Sequence, residues 1–283
     1  MPDIHKRLKK IGFGAARGSC YVSLALSLIS LLAIIIFVFV RGGGSLSFQL
    51  LFGTYSSAHP SILPAFLGTI YLILISLLIA FPLGLFTAIF LSEYTVNDSL
   101  PIRIIRVSIE TLAGIPSIVY GLFGYLLFVT NWGYSLLGGG LTLAIMILPL
   151  IVRNTEEALL SVPTSLREGS YALGSGKVRT IFRIVLPAAS DGILTSLILA
   201  VGRVVSESAV LLLTVGMVVN LVPTSLMSAG TSLALDIYYF SYMGYTEEAS
   251  ATSLVLIILV LLLNGLAYLS SYLFARKKGN YGR

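Results

Sequence analysis

The sequence predicts an all-α transmembrane protein, a polytopic bundle of about six helices, and three observations carry that prediction. Hydrophobic residues make up 57% of the 283 residues and charged ones only 11%, whereas a soluble domain carries about 25% charge. A single core of this size cannot hide so many apolar side chains. The apolar residues also fall in runs of about 20, the length of helix that crosses a hydrocarbon core. Finally, the basic residues sit in alternate connections between those runs, as in membrane proteins with a defined orientation.

The first run, Tyr21–Val40, is uncharged. It is longer than the apolar part of a cleavable signal peptide and no small-residue cleavage site follows it, so it reads as a retained span. Cys20, the sole cysteine, precedes it and excludes an internal disulfide. The second span is Phe66–Leu91, with Pro82 and Gly84 inside it, and the third is Thr111–Asn131. The fourth, Leu136–Val152, starts on Gly138, Gly139 and Gly140, which weaken its beginning; its far end is expected to continue as helix beyond the membrane. The fifth is Ile193–Val215 and the sixth Ala251–Phe274, with Pro149 inside the fourth. Residues 217–250, broken by Pro223, Gly230 and Gly244, read as a loop with a short surface helix.

Orientation follows from the Lys and Arg count. The N-terminal tail carries Lys6, Arg7, Lys9, Lys10 and Arg17; the second connection carries Arg103 and Arg106. The fourth carries Arg153, Arg167, Lys177, Arg179 and Arg183, and the C-terminal tail Arg276, Lys277, Lys278 and Arg283. Six spans put all of these on one side, leaving Arg41 opposite and Arg203 within a span. Both termini are therefore expected in the cytoplasm. The expected layout is a cytoplasmic tail at 1–20, a transmembrane body at 21–275 and a second cytoplasmic tail at 276–283.

The net charge of +6 does not point to nucleic acid, because the basic residues lie in bursts between apolar runs and form no solvated stripe. Chemistry on a metal or by acid–base catalysis needs a cluster of His, Asp, Glu or Cys. His5 and His59 are the only histidines and lie in separate extramembrane segments, so an enzyme is not expected. Gly174-Ser175-Gly176-Lys177 fails as a phosphate-binding loop: Tyr171 and Val178 stand at its required glycine and hydroxyl positions.

The connection at about 153–192 is the longest in the chain. Asn154–Leu160 reads as helix ended near Pro163, and Ser165 with Glu168 has the spacing of a capping box. Gly174 falls where a helix C-terminal glycine belongs. Two turns of helix outside the membrane need a packing partner to be stable. Glu168, Gly169, Ser170, Gly174 and then Ile184-Val185-Leu186-Pro187 resemble the E-A-A-x3-G-x9-I-x-L-P loop of ABC-importer permeases, with small residues in place of the two alanines. The resemblance implies a type I ABC-importer permease fold. It also implies a coupling helix, with Glu168, Gly169, Ser170, Gly174, Leu186 and Pro187 in the segment that engages an ATPase. Two ATPase subunits would hold the ATP and magnesium; this chain would bind no cofactor.

Arg203 and Glu207 are the costly residues of the fifth span. If that span leaves the cytoplasm near Asp191, Arg203 stands about 18 Å up. One turn apart on a continuous helix, the two can pair on one face, with Ser206 and Ser208 adding hydroxyls nearby. Two readings stand: a structural ion pair, or an anion path in which the guanidinium attracts and the carboxylate prevents trapping. Gly202-Arg203-Val204-Val205-Ser206-Glu207-Ser208-Ala209 is similar to a stretch of phosphate-permease subunits, and Leu112–Gly124, with Ser117 in it, resembles their third-span signature. That resemblance implies phosphate as substrate, with Arg203, Glu207, Ser206, Ser208 and Ser117 along its path. The run after Glu207 is closer to the PstA type than to the PstC type. The implied partners are a second, PstC-type permease, two ATPases, an extracytoplasmic phosphate-binding protein and membrane lipid, in a bacterial or archaeal plasma membrane. Permeases for molybdate, sulfate or phosphonate share the coupling loop and are the alternatives, with an ion-coupled secondary transporter behind them.

Overall fold

The computed structural model describes residues 2–56, 59–95 and 99–279, and within these it is helical in every regular element. Among the described residues five helices are long and apolar enough to cross a membrane, or six if a bent pair is counted as one span. The chain runs α1 (Pro2–Ser45), α2 (Phe48–Phe52), α3 (Leu63–Tyr94), α4 (Leu100–Ala113), α5 (Ser117–Trp132) and α6 (Leu136–Leu160). It continues through α7 (Thr164–Ala172), α8 (Lys177–Val205), α9 (Ala209–Thr214), α10 (Leu233–Tyr242) and α11 (Thr246–Gly279).

α6 is the axis of the bundle, and α3, α5 and α8 pack around it. Lipid tails are as apolar as leucine, so helices in a membrane associate through close packing and internal hydrogen bonds. Both devices are present. The glycine run at the start of α6 is buried, and a Cβ on Gly140 would overlap Ile75 of α3. The expected weak beginning is therefore a tight seam, capped by Ser135, whose hydroxyl accepts from the Gly138 amide at 3.1 Å. Between α6 and α8, the Ser196 hydroxyl donates to the Ile151 carbonyl at 3.4 Å. α6 runs past the apolar zone to Leu160, as expected.

α1 differs from the rest. No residue of its apolar window is buried; it packs against α11, where Gly42 meets Ser250 and Leu254. Side chains of the basic N-terminal tail at Lys6, Arg7, Lys9 and Lys10, and of the C-terminal tail from 276 onward, lie outside the described residues.

Four expectations need correction. The third span is not one helix: α4 and α5 meet at 96°. Pro116 removes an amide donor and pushes Ile115 out of helical backbone, and Gly114 ends α4. α5 enters the bundle with about 24 Å of helix, while α4 lies along α6 with Ile102 buried beside Leu91 and Val152. The fifth span also breaks, with α8 ending at Val205 and α9 starting at Ala209. Residues 217–250 carry no mere surface helix: α10 buries Leu233, Leu235, Asp236 and Phe240, packed against α3 and α11. Lastly, the Ser165–Glu168 capping box does not form, because α7 starts two residues earlier with Pro163 as its N-cap.

Candidate functional site

The break between α8 and α9 is built by its own polar residues. The Ser206 hydroxyl donates back to the Gly202 carbonyl at 2.9 Å, competing with helix continuation. Glu207 turns forward: its Oε1 accepts from the amides of Ala209 and Val210 at 3.1 and 3.3 Å, capping α9. Ser208, half-buried, is the N-cap residue of α9 without a side-chain cap bond.

Arg203 and Glu207 therefore do not pair. Among the described residues the Arg203 guanidinium makes no hydrogen bond and no ion pair, and its side chain is exposed on the outside of the single chain. It lies near the Tyr120 hydroxyl. That hydroxyl donates to the Leu112 carbonyl at 2.8 Å, closing the α4–α5 bend.

α5 and α9 run side by side in the same direction, with Gly121 on Val210 and Gly124 on Thr214. A Cβ on Gly124 would overlap both Thr142 and Thr214, so glycine is what lets α5, α6 and α9 meet. Seven residues before Gly124, half-buried Ser117 opens α5. Thr142 lies about 9 Å along α6 from Leu136, and Ser117 is about 10 Å further, so this level is deep within the span. The break itself carries Arg203, Ser206 and Ser208, the first two exposed and Ser208 half-buried. A guanidinium offers five donors in a fork that fits an oxyanion. The first amides of α9 are occupied by Glu207.

The second region lies at the end of the bundle that carries the basic connections. α7 ends in a Schellman motif: the Gly174 amide donates to the Tyr171 carbonyl at 2.9 Å and the Ser175 amide to the Ser170 carbonyl at 3.1 Å. Gly174 has φ +79°, which a side chain resists. Glu168 and Gly169 are exposed, with open space where a Gly169 Cβ would stand, and Leu173 is 88% exposed beside them. Ser170 faces inward and its hydroxyl shares a 2.8 Å hydrogen bond with Thr180 of α8. Leu186 and Pro187 are not on this surface; they lie within α8, just after a π-helical turn at Ile181–Val185. The widened turn accommodates the donor that Pro187 lacks. The six residues of the loop motif therefore split between an exposed helix and its anchorage.

Several polar contacts had no counterpart in the sequence reading. Arg106 of α4 pairs with Glu156 of α6 at 2.7 Å, and Arg167 of α7 pairs with Glu93 at the end of α3 at 2.7 Å. At the opposite end of the bundle, fully buried Asp236 accepts from the Thr231 hydroxyl through Oδ1, while Oδ2 has no partner. Burial pushes its carboxyl up to about 8, against the opposing pull of the Thr231 bond. Only charge complementarity at long range could have flagged these pairs, and a single sequence does not register it.

Residues 80–280 match the family model for the binding-protein-dependent transport system inner membrane component. The chain is 37% identical over 268 residues to the probable ABC transporter permease protein YqgI of Bacillus subtilis, spanning 87% of this chain and 90% of that one. It is 38% identical over 218 residues to the phosphate transport system permease protein PstA of Yersinia pestis, spanning 76% and 72%. Among solved structures, a chain of a bacterial alginate ABC transporter superposes with TM-score 0.65 at 17% identity, over 87% of this chain and 91% of that one. A chain of the MetNI methionine ABC transporter gives 0.60 at 20% identity, over 73% and 93%. At those identities the solved structures establish the fold alone. The chain belongs to the family of binding-protein-dependent transport system inner membrane components, the non-catalytic permease subunits of ABC transporters.

Proposed function

We propose that this permease carries inorganic phosphate inward, delivered by an extracytoplasmic binding protein. The observation that carries the reading is Arg203, a guanidinium deep in a span without a side-chain partner among the described residues. A charge in that position costs at least ~2.5 kcal/mol unless it meets water, a partner or a ligand. Its exposed side is the face on which a second, homologous permease closes a shared path. Phosphate would pass Arg203 with Ser117, Ser206 and Ser208 alongside, and Glu207 would hold the break open by capping α9. Relatives named as phosphate permeases, PstA of Yersinia pestis among them, support phosphate over other oxyanions.

The exposed face of α7, with Glu168, Gly169 and Leu173, would dock an ATPase subunit in the cytoplasm; two such subunits bind the ATP and magnesium. Ser170, Gly174, Leu186 and Pro187 hold that helix in place. The test is ATP-dependent uptake of labelled phosphate by the complete importer in proteoliposomes, with sulfate, molybdate and phosphonate as competitors. Phosphate uptake that an excess of the others leaves unchanged is the expected result. Uptake of another oxyanion in preference would overturn phosphate and keep the permease.

A further inference from the structure

The side chain before the exposed Glu168 goes the other way. Arg167 is buried beneath α7, with 15% of its side chain exposed, and its partner Glu93 has 5%. Its Nε and Nη2 both donate to Glu93 Oε1, at 3.1 and 2.7 Å. Nη1 donates to the Val162 carbonyl at 2.6 Å, and Nη2 also to the Leu159 carbonyl at 2.9 Å. One guanidinium thus joins three elements: α7, the carbonyl end of α6, and the last turn of α3.

Each partner suits this role. The last carbonyls of a helix lack intrahelical donors and carry partial negative charge, so a cation there is favourable. Glu93 lies in a π-helical turn, Phe90–Tyr94, that ends α3; the wider turn shifts its register relative to an unbroken α-helix. Such a carboxylate–guanidinium contact, largely out of water, is rigid and intolerant of losing one partner.

Val162, in the three-residue link from α6 to α7, packs in the core beside Leu159 and Ile181, and the Arg167–Glu93 contact adds a charged tie to α3. With it, α7 moves with α6 and α3, and the Ser170–Thr180 bond ties its other end to α8. We infer that the Arg167–Glu93 pair is the rigid joint through which movement of α7 reaches the spans, making both residues positioning residues of the transport cycle. This rests on the reading that α7 docks an ATPase.

The test uses the complete importer in proteoliposomes with the single native cysteine removed (Cys20→Ser) and Ser206→Cys introduced at the α8–α9 break. Labelling by a membrane-impermeant maleimide is compared with and without a non-hydrolysable ATP analogue, so no transported substrate is needed. Arg167→Gln, Glu93→Gln and the double variant should each shrink the nucleotide-dependent change by about tenfold, and equally, because the pair acts as a unit. ATPase recovery with the complex should stay undiminished. Arg167→Lys, which keeps the charge without the fork, should retain part of the response and guards against a folding defect. A full response in the double variant, or losses that add, would overturn the joint. Loss of the ATPase from the variants alone would assign the pair to docking instead and also overturn it. An unsubstituted complex without ATPase would remove the docking reading itself, and so is distinguishable.

Discussion

Tyr120 and Leu112 face each other across the break in the third span, the Tyr120 hydroxyl donating to the Leu112 carbonyl at 2.8 Å. The bond satisfies a carbonyl near the end of α4 and fixes the 96° turn that keeps charged α4 apart from α5. Tyr120→Phe removes only this bond. It should lower stability by about 1 kcal/mol, read as a lower thermal midpoint of the purified complex.

Glu207 caps α9 and does not pair with Arg203, which separates two substitutions that an ion pair would make alike. Glu207→Ala should cost about 1 kcal/mol by freeing the Ala209 and Val210 amides. Glu207→Gln keeps an acceptor oxygen and should restore most of it. Thermal denaturation of the two variants checks this; equal losses would favour a charge role.

Two glycines should respond in opposite ways. Gly124→Val places a side chain where Thr142 and Thr214 stand. It should destabilise by about 1–3 kcal/mol, the range for overpacking. Gly169→Ala enters open space on a helix and should stabilise by up to ~1 kcal/mol. Folding yields in detergent and thermal midpoints measure both.

Asp236 makes stability fall as pH rises. Its folded carboxyl titrates near 8 while an unfolded one titrates near ~3.9. Between those values the folded state holds a proton that the unfolded state has released, so unfolding becomes easier with each pH step. The contribution is fully present below the unfolded value and lost as pH approaches 8. Asp236→Asn should flatten the decline in thermal midpoint between pH 5 and ~8. A decline unchanged by the substitution would place its origin elsewhere.

The span count and the helix running past the fourth span were legible because long apolar runs and basic clusters are local signals. Gly174 was legible for the same reason: a helix of two turns needs a positive-φ stop. The breaks were not. Pro116 and the serines around Glu207 were visible, yet apolar content masks a break, and hydropathy does not register a 96° turn. Arg203 and Glu207 were singled out by cost; four-residue spacing suggested a pair only because the helix was taken as continuous. Arg167 and Glu93 escaped notice because they are 74 residues apart and both look like ordinary charges at a membrane edge. Membership of the ABC permease family also removes the ion-coupled transporter from the alternatives.

Contact between Arg203 and the transported anion is tested by ATP-driven phosphate uptake through the importer carrying Arg203→Gln. The expected result is a loss of about a hundredfold with the complex still assembled, since one donor group to a developing or buried anion is worth that much. Arg203→Lys should keep a fraction, having the charge without the fork. Normal uptake by an intact Arg203→Gln complex, or a complex that falls apart, would contradict the claim.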